Sequence, residues 1–268
     1  MSRRRFWQRS RSIEQEKQSM AEISKCVRAV FFDLDETLLD DDRGMREAVA
    51  RTCATLGKRY PQIKPSQLEA TYLRVSEEWW TRSRSVPRSS GRDTSAGKDI
   101  RLEVWSKALA TYGLPMRNLA IEAVDLYSQE RRAGYRLFPD TRDVLGALHR
   151  RFILGVITNG PPDTQLEKLR ITGIRAYLDV FVVSGELGMG KPDSGIFHKA
   201  LEIAQTTPRE ALHVGDSLAS DIAGAKSAGM YTVWVNRRKI AKPQDAPTPD
   251  VEIDTLRDLV PLLTPHVL

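Results

Sequence analysis

Asp33 and Asp35 stand two residues apart, directly after a short apolar run at 27–32, in the string Asp33-Leu34-Asp35-Glu36-Thr37. At that spacing a side chain and a backbone carbonyl can converge on one cation at a strand's end; the plainer reading is an acidic turn. Three further strings place polar chemistry after an apolar run. Thr158-Asn159-Gly160 offers a hydroxyl and backbone N–H groups that can hold phosphate oxygens at the start of a helix, or simply cap that helix. Lys191-Pro192 follows the stretch from Gly185 to Gly190 and offers a cation able to neutralise a carboxylate–phosphate cluster; by itself it is a surface lysine. Gly215-Asp216-Ser217, with Asp221 five residues beyond Asp216, supplies two acids that can complete a cation site, although acids also suit first helical turns through the helix dipole. Each string is a modest signal alone. Hydroxyl, lysine and several carboxylates together are what an aspartyl nucleophile with a bound metal requires.

These groups meet only if successive strands deliver them to one edge of a sheet. Residues 27–32 form a short, nearly continuous apolar run, as expected for a strand buried on both faces. After Pro139 the pattern alternates: strands at 152–158, 180–184, 211–214, 231–235 and 251–253, helices at about 140–150, 163–172, 193–204 and 218–228. The alternation predicts an α/β fold, a Rossmann-like doubly wound parallel sheet. Between the first strand and this series the rhythm is helical. Ala48, Val49, Cys53 and Leu56 share one helical face, Leu68, Tyr72, Val75 and Trp79 another, with further helices at 99–111 and 118–132. A helical insertion there predicts a cap domain over the C-terminal edge of the sheet, where open α/β folds bind ligands. The expected division is a basic, disordered tail at 1–25, core at 26–42, α-helical cap at 43–135 and core again at 136–268. Residues 81–98, rich in Ser, Arg, Gly and Pro, read as a loop within the cap.

The net charge of +6 argues against nucleic acid as a partner once it is located. Residues 1–19 and 81–98 each carry a net +4, which leaves the remainder at about −2, so the body of the protein is not basic. No apolar run approaches the ~20 residues that span a bilayer, and the basic start lacks the apolar segment of a secretory signal, so no membrane partner and a cytoplasmic location are expected. Cys26 and Cys53 have no ligand spacing and do not suggest a disulfide framework or zinc. His149, His198, His213 and His266 also lack it; His213 falls inside an expected strand and reads as packed. Trp79, Trp80 and Trp105 read as packing residues of the cap.

The motifs DLDET at 33–37, TN at 158–159, KP at 191–192 and GDSLASD at 215–221 resemble those of the haloacid-dehalogenase-like hydrolases, in the branch with a helical cap between the first two motifs. The resemblance covers about 28–263. It implies Asp33 as nucleophile and Asp35 as general acid and then base. Thr158 with Asn159 would bind the phosphoryl group, and Lys191 would hold it with the nucleophile. The resemblance also implies Mg2+ on the Asp33 side chain, the Asp35 carbonyl and Asp216, with Asp221 supporting. Magnesium suits a site of few carboxylates completed by waters and phosphate oxygens. The dehalogenases of the family lack an acid two residues after the nucleophile, so Asp35 favours phosphate chemistry. The stretch 158–237, with TNGPPDTQLEKL, KPDSGIF and VWVNR, is similar to nucleotidases and N-acylneuraminate 9-phosphate phosphatases, which implies a small phosphorylated substrate. A phosphomutase would keep the same aspartates, and a binding module using the basic segments is the alternative of another class. The sequence leaves the oligomeric state open.

Overall fold

The computed structural model describes residues 23–85, 97–113 and 116–264; most of the expected tail, and His266, lie outside the described residues. Six parallel strands form one sheet: β1 (Ala29–Phe32), β2 (Ile153–Thr158), β3 (Val180–Val183), β4 (Ala211–Gly215), β5 (Tyr231–Val235) and β6 (Val251–Ile253). Their order is β3-β2-β1-β4-β5-β6. β1 is fully buried and central, with Phe31 in register with Gly155 on one side and His213 on the other. Its pleat sends Val30 and Phe32 into one apolar cluster, and Ala29 and Phe31 into another on the opposite face. The strand order reverses at β1, so the ends of β1 and β4 border the crevice where such sheets bind ligands. The expected doubly wound parallel sheet is therefore present.

Four helices follow β1 in the chain: α1 (Asp41–Arg59), α2 (Pro65–Ser85), α3 (Gly97–Leu109) and α4 (Met116–Gly134). They enclose a core of their own, including Val49, Leu56, Leu68, Tyr72 and Trp105. Trp105 is fully buried there, its ring 4.3 Å from that of Tyr72. The Cys53 thiol is buried in the same core, which pushes it up to about 12 and leaves it unreactive. Two adjoining linkers join this block to the sheet: Phe138 donates its N–H to the Leu38 carbonyl, and Asp40 donates to that of Arg136.

The described helices enter the expected loop at 81–98 from both ends. Helix α2 continues to Ser85 and α3 opens at Gly97, with 86–96 outside the described residues. Ser and Arg do not break a helix.

Around the sheet lie α5 (Thr141–Leu148), α6 (Pro162–Thr172), α7 (Ser184–Leu187), α8 (Ser194–Ala204), α9 (Ala223–Ser227) and α10 (Leu259–Leu263). The expected helix at 218–228 is divided. A widened turn at Leu218–Ile222, in which Ile222 bonds back to Ser217, precedes α9. No described helix is long and apolar enough to cross a membrane.

Candidate active site

The turn after β1 fixes two carboxylates in different surroundings. Asp33 extends the strand ladder by donating its N–H to the Val214 carbonyl at 2.9 Å. Its side chain is buried, and Oδ1 accepts from Lys191 Nζ at 2.5 Å. Among the described residues no hydrogen bond reaches Oδ2. Two residues on, Asp35 faces helix α6. Lys168 Nζ donates to both its oxygens, at 2.7 and 2.8 Å, and Gln165 Nε2 donates to Oδ2 at 3.0 Å. Glu36, with φ of 63°, reverses the chain and accepts the Asp42 N–H at the start of α1.

Asp221 is the anchor of the opposite wall. Oδ1 accepts from Lys191 Nζ at 2.6 Å and from His213 Nε2 at 3.0 Å, while Oδ2 accepts the Ser217 N–H. The widened turn drives Asp221 over Gly215, where a Cβ would lie 2.3 Å from the Asp221 carboxyl carbon. No other residue fits at 215. His213 is packed as expected, edge-on to Phe197, and it also bonds Asp221, which its strand position did not reveal. Burial keeps His213 below the ordinary imidazole value, against the opposing pull of Asp221.

Carboxylate oxygens of Asp33, Asp216 and Asp221 all lie within 4.8 Å of one another. Lys191 is the only lysine or arginine paired with this trio among the described residues, so the carboxyl groups outnumber the cations. Burial pushes Asp33 well above the ordinary carboxylate range; Lys191 opposes that shift, and Asp221, Asp216 and Asp35 reinforce it. Burial and then the Asp221 charge push Asp216 up to about 7. For Asp221 burial acts in the same sense, but Lys191 and His213 outweigh it and hold the group well below the usual range. A divalent cation matches both the oxygen donors and the charge imbalance, so the residues present fit magnesium.

Thr158 is buried, and its Oγ1 accepts from Gln165 Nε2 at 2.7 Å. Asn159 is occupied: Oδ1 accepts the Lys191 N–H at 2.8 Å and Nδ2 donates to the Lys191 carbonyl at 2.9 Å. The amide thus straps the lysine to the end of β2. The structure brings Asp33, Lys191, Asp216 and Asp221 together, with Asp35 joined to Thr158 through Gln165. The Asp35 carboxylate stands outside the acidic trio and points to Lys168.

Sequence reasoning overlooked Gln165, Lys168, Asp41 and Arg131. Lys168 and Arg131 are buried; Lys168 Nζ is 3.1 Å from Asp41 Oδ1, which also pairs with Arg131 of α4 at 2.7 Å. The available signal was spacing. Gln165 and Lys168 lie three apart on the helix that begins just beyond Thr158, and so share one face.

The family model for haloacid dehalogenase-like hydrolases matches residues 27–229. The chain belongs to that family. It is an enzyme of the phosphatase branch, as the acid at Asp35 leads one to expect. The chain is 29% identical over 242 residues to the N-acylneuraminate-9-phosphatase of Homo sapiens, covering 88% of this chain and 94% of that protein. It is 37% identical over 241 residues to the pyrimidine 5'-nucleotidase YjjG of Escherichia coli, covering 88% and 98%. A crystal structure of the HAD-hydrolase YfnB of Bacillus subtilis, described as bound to magnesium, has a TM-score of 0.70 and 25% identity, covering 88% of this chain and 98% of that one.

Proposed function

We propose that this hydrolase is a magnesium-dependent cytoplasmic phosphatase that cleaves a small phosphorylated metabolite, of the nucleotide or sugar phosphate class, through an aspartyl-phosphate at Asp33. The observation that carries the reading is the buried Asp33 carboxylate, held by Lys191 within an acidic trio, with Asp35 two residues further on. Asp33 attacks phosphorus, the bond from phosphorus to the leaving oxygen breaks, and the Asp35 carboxyl gives that oxygen its proton. The Asp35 carboxylate then takes a proton from a water whose oxygen attacks the same phosphorus. The bond to Asp33 breaks and inorganic phosphate leaves. Lys191 and the Thr158 hydroxyl hold the phosphoryl oxygens in line, and Asn159 acts by fixing Lys191. Asp33, the Asp35 carbonyl and Asp216 would hold Mg2+, which neutralises phosphoryl charge when bound. Residues 43–135 act as a cap that closes on the substrate's leaving group. The YfnB structure's magnesium and the phosphate esters named for the two similar enzymes support this reading. The test is release of inorganic phosphate from nucleoside and sugar monophosphates with magnesium present. Loss in chelator and recovery on adding magnesium are expected; full turnover in chelator contradicts the metal assignment.

A further inference from the structure

Helix α6 presents a lysine that the mechanism above does not use. Lys168 is 3% exposed and touches neither Asp33 nor the acidic trio. Its ammonium bonds both oxygens of Asp35 and reaches Asp41, where the Arg131 guanidinium of α4 completes a chain of two acids and two cations. Burying the Lys168 and Arg131 charges costs several kcal/mol per ion before pairing, and apolar side chains would fill the same space without that cost. The arrangement is also directional. One turn before Lys168 on the same helix, Gln165 Nε2 lies within hydrogen-bond distance of Asp35 Oδ2, the Thr158 hydroxyl and the Asn159 carbonyl, three acceptors that share its two N–H groups. One end of the carboxylate is thereby tied to the residue that holds phosphate, the other to the root of the helical block.

We infer that Lys168 is a positioning residue: it fixes the Asp35 carboxyl beside the leaving oxygen and, through Asp41 and Arg131, ties that placement to the docking of the helical block on the sheet. Neighbouring residues of α6 contact the same block. Asp163 accepts the Gly97 N–H at the start of α3 with both oxygens at 3.0 Å, and Glu167 pairs with Arg132 at 2.7 Å. Proton transfer to a leaving oxygen requires the acid within hydrogen-bond reach as the bond breaks. A carboxyl released from Lys168 samples other rotamers and misses that moment.

The inference rests on Asp35 as the acid, so its test carries Asp35→Asn as reference. kcat/KM is measured for an alkyl monophosphate, whose leaving oxygen needs a proton, and for 2,4-dinitrophenyl phosphate, whose leaving oxygen does not. Asp35→Asn and Lys168→Met should both lose roughly 10²-fold on the alkyl ester and less than about threefold on the aryl ester. Lys168→Arg, which keeps the cation but alters its reach, should show the same selectivity at smaller amplitude, and decides the matter if Lys168→Met does not fold. Equal losses on the two esters in the Lys168 variants, with the split intact in Asp35→Asn, overturn the role of Lys168 alone. No split in Asp35→Asn overturns the acid reading and this inference with it.

Discussion

Two buried charge clusters lie against the same turn after β1, and they differ in balance. The chain Asp35–Lys168–Asp41–Arg131 has as many cations as acids; both cations are buried and both acids are partly open to solvent. The trio Asp33, Asp216 and Asp221 meets the single charge of Lys191. The contrast separates two uses of buried charge. A balanced chain holds parts in place at little electrostatic cost once paired; an unbalanced one is incomplete until a cation or a reacting group arrives. Burial favours loss of the Lys168 proton, yet Asp35 and Asp41 outweigh it and hold the amine above its ordinary range. In the trio burial and mutual repulsion drive Asp33 and Asp216 the other way, toward the neutral acid.

The largest effect is expected at the nucleophile. Asp33→Asn should lower kcat by at least about 10⁴-fold, because an amide does not attack phosphorus. Its melting temperature in chelator should stay level or rise, since one surplus negative charge is gone. A folded variant with appreciable turnover breaks the comparison at its unbalanced end. Next comes Arg131→Met, which removes a cation from the balanced chain and should destabilise the fold by about 3 kcal/mol, read by denaturant unfolding. An unchanged midpoint would mean that the chain contributes no net stability. Asp216→Asn is expected to raise the magnesium needed for half-maximal activity by about tenfold or more, while making the metal-free protein more heat-stable. A lower melting temperature in chelator would contradict the charge imbalance.

A smaller effect follows from pH. The folded-state values of Asp33 and Asp216 are raised, so each contributes stability that is complete below the ordinary carboxylate value and lost as pH rises through the raised one. In chelator the melting temperature should therefore fall as pH is raised from about 4 to about 7, and magnesium should flatten that fall. The same slope with and without magnesium would place the titrating groups elsewhere. The smallest effect is expected from deleting residues 1–19, which should leave kcat and KM on a small substrate unchanged.

The unbalanced cluster was legible in the sequence because its members end successive strands. Asp33, Thr158 and Asp216 each close or follow a buried apolar run, Lys191 follows the third strand, and the parallel order brings those ends together. The balanced cluster was not legible. Lys168 and Gln165 stand on a helix among Glu167 and Arg170, where charges three apart usually mark a solvated face, and Asp41 has the look of an ordinary first-turn acid. Their burial depends on the helical block meeting α6, a contact between elements far apart in sequence. The widened turn at Leu218–Ile222 escaped for a similar reason: Gly215 leaves a space that only tertiary packing shows Asp221 to fill.

The central claim is that the unbalanced trio makes Asp33 the group that receives phosphate. The most direct measurement is rapid acid quench of the magnesium-loaded enzyme during turnover of an aryl phosphate, followed by peptide mass spectrometry. The account predicts one added phosphoryl group on the peptide containing Asp33, appearing within the first turnover, labile to hydroxylamine and missing from Asp33→Asn. Phosphate on another residue, or steady turnover with none captured on Asp33 under conditions that preserve acyl phosphates, would contradict it.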